Sequence, residues 1–142
     1  MDLAPAESFA GRVMLNPRLV AELGDPHSTL RAVTQRHDSA VIVSAGGEID
    51  ASNEDIWRRL VAEAAAVATG PGPFVVDVTE LDFMGCGAFA ILADEANRCR
   101  DRGIELRLVD CEPRVARIIE ACGFSLLLPL YPTTDSALSA AA

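Results

Sequence analysis

Between residues 30 and 109 the apolar positions switch repeatedly between a two-residue and a helical period, and those switches lay out the fold. Residues 30–37 alternate, with Leu30, Ala32 and Thr34 on one side. Residues 40–45 are nearly all apolar through Val41, Ile42 and Val43. With Asp38-Ser39 between them, they predict a hairpin whose second strand is central, because a continuous β-branched run suits burial on both faces. Gly46-Gly47-Glu48-Ile49-Asp50 ends that strand. Ser52-Asn53-Glu54-Asp55 then predicts a helix start, with Ser52 as N-cap and Asp55 three residues on in capping-box style. From residue 54 to 68, Ile56, Trp57, Leu60, Val61 and Ala64 recur at helical spacing, with Trp57 expected in the core. Gly70-Pro71-Gly72-Pro73 stops that helix.

Residues 74–78 form a second central strand. A helix is predicted from Cys86 to about Arg102, with Phe89, Leu92, Ala96 and Cys99 on one stripe and Gly103 as its cap. Residues 104–109 alternate as a strand nearer the sheet edge. Pro113 opens a helix carrying Val115, Ile118, Ile119 and Cys122, ended by Gly123. Leu126-Leu127-Leu128 makes a short final strand, and Thr133-Thr134-Asp135 caps a last helix. Residues 1–29 read as an N-terminal extension, punctuated by Pro5, Pro17, Gly24 and Pro26. One short helix is expected there after Pro17, packed loosely or awaiting a partner.

The domain proper therefore spans residues 30–142. Its class is α/β, with a mixed, mostly parallel sheet of four to five strands and about four helices. Right-handed crossovers bring the loops at 50–53, 85–88 and 111–113 to one edge, where open α/β sheets place their sites.

Composition narrows the function. The net charge is −9 and all twelve basic residues are arginine, grouped only at Arg58-Arg59 and Arg98/Arg100/Arg102 among acidic neighbours. That balance argues against nucleic acid, whose binding draws on clustered positive charge. No apolar run reaches the roughly 20 residues of a membrane span. Asp2 and Glu7 stand where a signal peptide would carry basic residues, so a cytoplasmic location is expected. Cys86, Cys99, Cys111 and Cys122 lack the close pairing of a zinc site, and His27 and His37 are remote from them. Four reduced thiols and no metal are expected. No catalytic constellation is visible, and Gly85-x-Gly87 alone makes no nucleotide cradle, so neither enzyme activity nor a cofactor is expected.

Several motifs, in order, resemble the STAS domain shared by sulfate transporters and anti-sigma factor antagonists. Gly47-Glu48-Ile49-Asp50 is similar to the family's G-E-L-D, and residues 74–84 resemble its third strand and the approach to its switch loop. Residues 103–109 resemble its G-x-x-L-x-L-V strand, residues 117–124 its L-x-x-x-G-L helix end, and residues 131–138 its terminal segment. The resemblance implies a bacterial anti-sigma factor antagonist that works by partner switching. It would bind an anti-sigma factor, commonly a serine-kinase-like ATPase, that phosphorylates a serine in a D-S-S-G loop. Phosphorylation would add about −1.5 to −2 charge to the binding face and switch binding off. Two alternatives stand beside this reading: a STAS module sensing a small molecule, and a self-associating scaffold in a signalling assembly.

The chain departs from the family at that loop. A gapless alignment puts Gly85 on the aspartate, Cys86 and Gly87 on the two serines, and Ala88 on the glycine. No Ser, Thr or Tyr occurs between Glu80 and Ala93, so no phosphorylation site is expected there. The partner interface is expected to comprise Asp50, Ser52, Asn53, Gly85, Cys86, Gly87, Ala88, Cys111 and Glu112. Two readings of Cys86 stand: an isosteric replacement of serine, or a thiol sensitised by the head of a helix. In the second, Cys86 and Cys111 are redox candidates that pair on oxidation if their Cα atoms lie within roughly 7 Å. Cys99 and Cys122 fall on apolar helical stripes and are expected in the core.

Overall fold

The computed structural model describes residues 10–12, 15–24 and 29–140. Its strands are β1 (Ala10–Arg12), β2 (Leu30–His37), β3 (Ala40–Ile49), β4 (Phe74–Met84), β5 (Leu106–Val109) and β6 (Leu130–Tyr131). Its helices are α1 (Pro17–Gly24), α2 (Glu54–Ala66), α3 (Cys86–Asp101), α4 (Pro113–Ala121) and α5 (Thr134–Ser139). The six strands form one sheet in sequence order. β1, β2 and β3 pair antiparallel, and β3 through β6 pair parallel. The mixed, mostly parallel α/β sheet expected from the sequence is present, with one strand more than expected.

Alternation sorts the strands between two layers. Val41, Val43, Phe74, Val76, Leu106 and Leu108 point to the main core, where they meet Trp57, Leu60, Phe89 and Leu92 of α2 and α3. Ile42, Val75 and Val109 point to the other face and pack against Ala137 of α5. Arg107 secures this second layer. Its side chain is buried, donates to the Ala137 carbonyl at 2.6 Å and to Glu105 Oε1 at 2.6 Å, and lies 5.7 Å from the Tyr131 ring centroid. Arg102 donates to the carbonyls of Ala65 and Ala68 at 2.9 and 2.7 Å, closing the C-terminal end of α2.

Several expectations are corrected. The segment before residue 30 is not loosely attached where it is described: β1 extends the sheet, and Leu19 of α1 is fully buried in the main core. Residues 126–128 form no strand, because Leu127 and Leu128 donate their N–H groups to the Phe124 carbonyl in a turn. The final strand is instead Leu130–Tyr131, paired with Leu108 and Val109. Cys122 is exposed, since it sits at the C-cap of α4 beyond the buried Val115 and Ile119. His27, Pro5 and Pro26 lie outside the described residues.

β4 is more than twice as long as expected, at 11 residues. Its register against β3 slips twice, so that Asp77 to Glu80 spans Ser44 to Gly46, and Leu81 to Phe83 spans Gly47 to Glu48. Each slip inserts a residue in β4 and bends the strand. β5 accompanies β4 only from Phe74 to Asp77. The remainder of β4 therefore runs on past its neighbour toward the loops at the sheet edge.

Candidate functional site: the loop edge of the parallel strands

The first loop leaves β3 at Ile49 and is ordered by two short side chains. Asp50 accepts from both the backbone N–H and the hydroxyl of Ser52 through Oδ1, at 2.9 and 2.6 Å, forming an Asx turn. The Ser52 hydroxyl, with the backbone N–H groups behind it, holds the Asp50 carboxyl below its ordinary value. Ser52 is thus committed to Asp50, and the N-cap position of α2 falls to Asn53, which makes no side-chain cap bond. Asn53 is buried and acts as a hub: it accepts from the Asp50 N–H at 2.9 Å and donates to Thr29 Oγ1 and the Glu48 carbonyl, both at 2.9 Å. Gly47, at φ 94°, permits the close passage of the Thr29 carbonyl, which the Glu48 N–H reaches at 2.7 Å. A Cβ at Gly47 would overlap that carbonyl.

The second loop is the head of α3. The Gly85 N–H donates to the Ile49 carbonyl at 3.0 Å, joining the ends of β3 and β4. Gly85 is the N-cap in extended conformation and caps with no side chain. Cys86 is exposed, Gly87 is half-buried, and Ala88 is fully buried, its carbonyl accepting from Trp57 Nε1 at 3.2 Å. The space beside Gly87 is taken. A Cβ built there would overlap the carboxylate of Glu54 from the first turn of α2, with Cδ 2.8 Å away. A carboxylate at this place faces the positive end of a 16-residue helix.

The third loop follows β5. Asp110 is buried, its N–H donating to the Tyr131 carbonyl at 3.0 Å and its Oδ1 accepting from the Glu112 N–H at 2.9 Å. This second Asx turn holds Cys111 and Glu112 outward, and Pro113 opens α4 without leaving an orphan N–H.

Parallel pairing thus brings all three loops to one edge, as the crossover rule requires. Asp50, Ser52, Cys86, Gly87, Cys111 and Glu112 reach the surface there. Asn53 and Ala88 do not: their burial makes them parts of the scaffold, which corrects their inclusion in an exposed interface. Cys86 and Cys111 are both free and exposed, whereas burial raises the Cys99 thiol to about 11. Among the described residues no group of three or more His, Cys, Asp or Glu side chains is arranged to hold a metal ion. No helix among them is long and apolar enough to cross a membrane.

The profile of the STAS domain matches residues 31–137. The chain belongs to the STAS domain family. A Mycobacterium tuberculosis protein provisionally designated an anti-anti-sigma factor is 62% identical over 138 residues, 97% of this chain and 93% of that protein. The anti-sigma-F factor antagonist RsfA of Mycobacterium tuberculosis is 55% identical over 127 residues, 89% of this chain and 99% of RsfA. Among solved STAS structures, an anti-sigma factor antagonist from Mycobacterium paratuberculosis superposes with a TM-score of 0.68 at 28% identity. That match covers 81% of this chain and 95% of the other. The unphosphorylated antagonist SpoIIAA shares the fold at 15% identity, with a TM-score of 0.56 over 69% of this chain and 84% of its own.

Sequence reasoning missed two neighbours of this STAS loop edge. Glu54, filed with the helix start, covers Gly87. The stretch from Leu81 to Met84, left beyond the strand drawn at residues 74–78, belongs to β4. The alternation of Leu81 and Phe83 with Glu80 and Asp82 carried the second signal.

Proposed function

We propose that this STAS domain is a non-enzymatic regulator that binds an anti-sigma factor, and so frees a sigma factor in the cytoplasm, without being switched by phosphorylation of its α3 loop. The relatives named as anti-sigma-F factor antagonists make an anti-sigma-F factor the first partner to test. The carrying observation is the head of α3. No hydroxyl residue occurs between Glu80 and Ala93, and the space beside Gly87, the residue that the gapless alignment sets against the family's acceptor serine, is occupied by the Glu54 carboxylate. A loop of this kind keeps the shape of a switch while having no atom to phosphorylate. The binding surface combines the Asp50–Ser52 turn, Cys86–Gly87 and Cys111–Glu112. Its regulation lies in the amount of protein made or in the state of the exposed thiols Cys86 and Cys111 rather than in phosphate at the loop.

Isothermal titration of the full chain against the anti-sigma-F factor of Mycobacterium tuberculosis tests the reading. The expected result is a stoichiometric complex whose affinity is unchanged after preincubation with ATP. No measurable heat with that factor, together with no anti-sigma factor recovered by the immobilised chain from its native host, would overturn it.

A further inference from the structure

Beside the three loops lies a cleft of about 300 Å³ that none of them fills. It exists because β4 outruns β5: past Asp77 the strand has no β5 partner, and two register slips interrupt its pairing with β3 on the other side. The overhanging Leu81, Phe83 and Met84 form one wall, Phe89 of α3 the base, and Val115 and Ile118 of α4 the other wall. Phe83 lines the cleft and is 50% exposed. A half-exposed aromatic ring over a cleft lined by both apolar and charged side chains is an uncovered surface.

The rim is acidic. The exposed Asp82 and Glu112 line it beside a single lining cation, Arg114, with the buried Asp110 behind them. Within the loop edge, Asp50 and Glu54 add further negative charge, and the whole chain carries −9. Such a rim repels nucleotide phosphates, lipid headgroups of negative charge and fatty-acid carboxylates. It attracts a cation that brings its own apolar stem. Cation and stem together describe an arginine or lysine beside a large apolar residue on a protein surface.

Resting on the reading above, we infer that this cleft is the anchor site for the anti-sigma factor and receives an apolar side chain flanked by a basic one. The apolar group packs under Phe83 against Met84 and Ile118, and the cation meets Asp82 and Glu112. An anchor of this type, buried in a pocket with a charged rim, commonly carries a large share of an interface's affinity. Rim charges mainly raise the rate of encounter.

The test has two arms on the folded, full-length chain. In the first, phenethylguanidinium is titrated while backbone amide shifts are followed by NMR, with hydrocinnamate and GTP as anionic counterparts. The cation is expected to bind at about millimolar strength, as its size allows, and to shift amides of residues 81–84 and 114–118. Phe83→Ala should abolish those shifts, and Asp82→Arg should weaken them at least roughly fivefold by removing an attracting charge. Because Phe83 is half-exposed, its loss should leave the rest of the amide spectrum in place. Equal binding of hydrocinnamate, binding of GTP in the cleft, or shifts confined to another surface would overturn the inference.

In the second arm the anti-sigma-F factor is titrated against wild type, F83A and D82R. A loss of roughly tenfold or more in affinity for F83A is expected. Wild-type binding with F83A unchanged would overturn the cleft as an anchor while leaving the proposed function standing. Cationic binding in the cleft with no wild-type affinity for any anti-sigma factor would overturn the function while leaving the cleft's chemistry established.

Discussion

Introducing a hydroxyl at position 87 measures how the head of α3 is filled. The Cβ of Gly87→Ser would overlap the Glu54 carboxylate, the far end of a flexible side chain, so the strain is relieved by swinging Glu54 away. Two effects then oppose. Serine is better than glycine in a helix by a few tenths of a kcal/mol. Against that, displacing a carboxylate from the first turn of α3 forfeits about 0.3–1 kcal/mol of charge–dipole stabilisation. G87S should therefore fall within about 1 kcal/mol of wild type. In a Glu54→Ala background the same serine meets no carboxylate and should be neutral or stabilising. The double-mutant cycle should return a coupling of about 0.5–1 kcal/mol. Urea unfolding of the four proteins, read by the fluorescence of the buried Trp57, gives the values. Additivity within error would refute the claim that Glu54 occupies the space beside Gly87. A loss beyond about 3 kcal/mol in G87S alone would place backbone there, not a movable side chain.

Arg107→Met should cost about 3 kcal/mol, chiefly because the buried Ala137 carbonyl loses a charged donor, and the loss should show as early release of α5 in amide exchange. The cleanest chemical check is thiol labelling: iodoacetamide should modify Cys86, Cys111 and Cys122 in the native protein and reach buried Cys99 only on unfolding, as peptide mass spectrometry would read. Native labelling of Cys99 would contradict the packing of α3. At the first loop, Asp50 should titrate below its ordinary value of 3.8, and Ser52→Ala should raise it, as followed by carboxyl NMR shifts. Because that carboxyl is depressed in the folded chain, its contribution to stability is present above the ordinary value and fades as pH falls through the folded one.

The sheet was legible because its signals are local and redundant. Val41-Ile42-Val43 and Val75-Val76 announce buried strands, and the stripe of Phe89, Leu92, Ala96 and Cys99 announces a helix packed on them. Trp57 fell in the core as its spacing required. What stayed hidden depends on partners distant in sequence. Leu126-Leu127-Leu128 has strand composition, but the edge of β5 is taken by Leu130 and Tyr131, and Leu126 is left 91% exposed. Ser52 and Asn53 are both good caps, and what decides between them is the commitment of Ser52 to Asp50 together with the reach of Asn53 to Thr29 and Glu48. The second half of β4 keeps the alternation of Glu80, Leu81, Asp82 and Phe83, but it lies beyond its β5 partner and lacks the continuous apolar run that marks residues 74–76. The loop edge followed from parallel connectivity alone. Glu54 over Gly87 and the cleft under Phe83 needed coordinates, since each joins segments that no spacing rule links.

The proposed regulator carries no hydroxyl residue between Glu80 and Ala93. The sharpest test of a function without phosphorylation there is mass spectrometry of the chain after incubation with ATP and the anti-sigma factor proposed as its partner, with G87S in parallel. The result expected is an intact complex and no phosphate between Glu80 and Ala93 in the wild-type chain. Phosphate attached within that segment of the wild-type protein, with release of the partner, would contradict it.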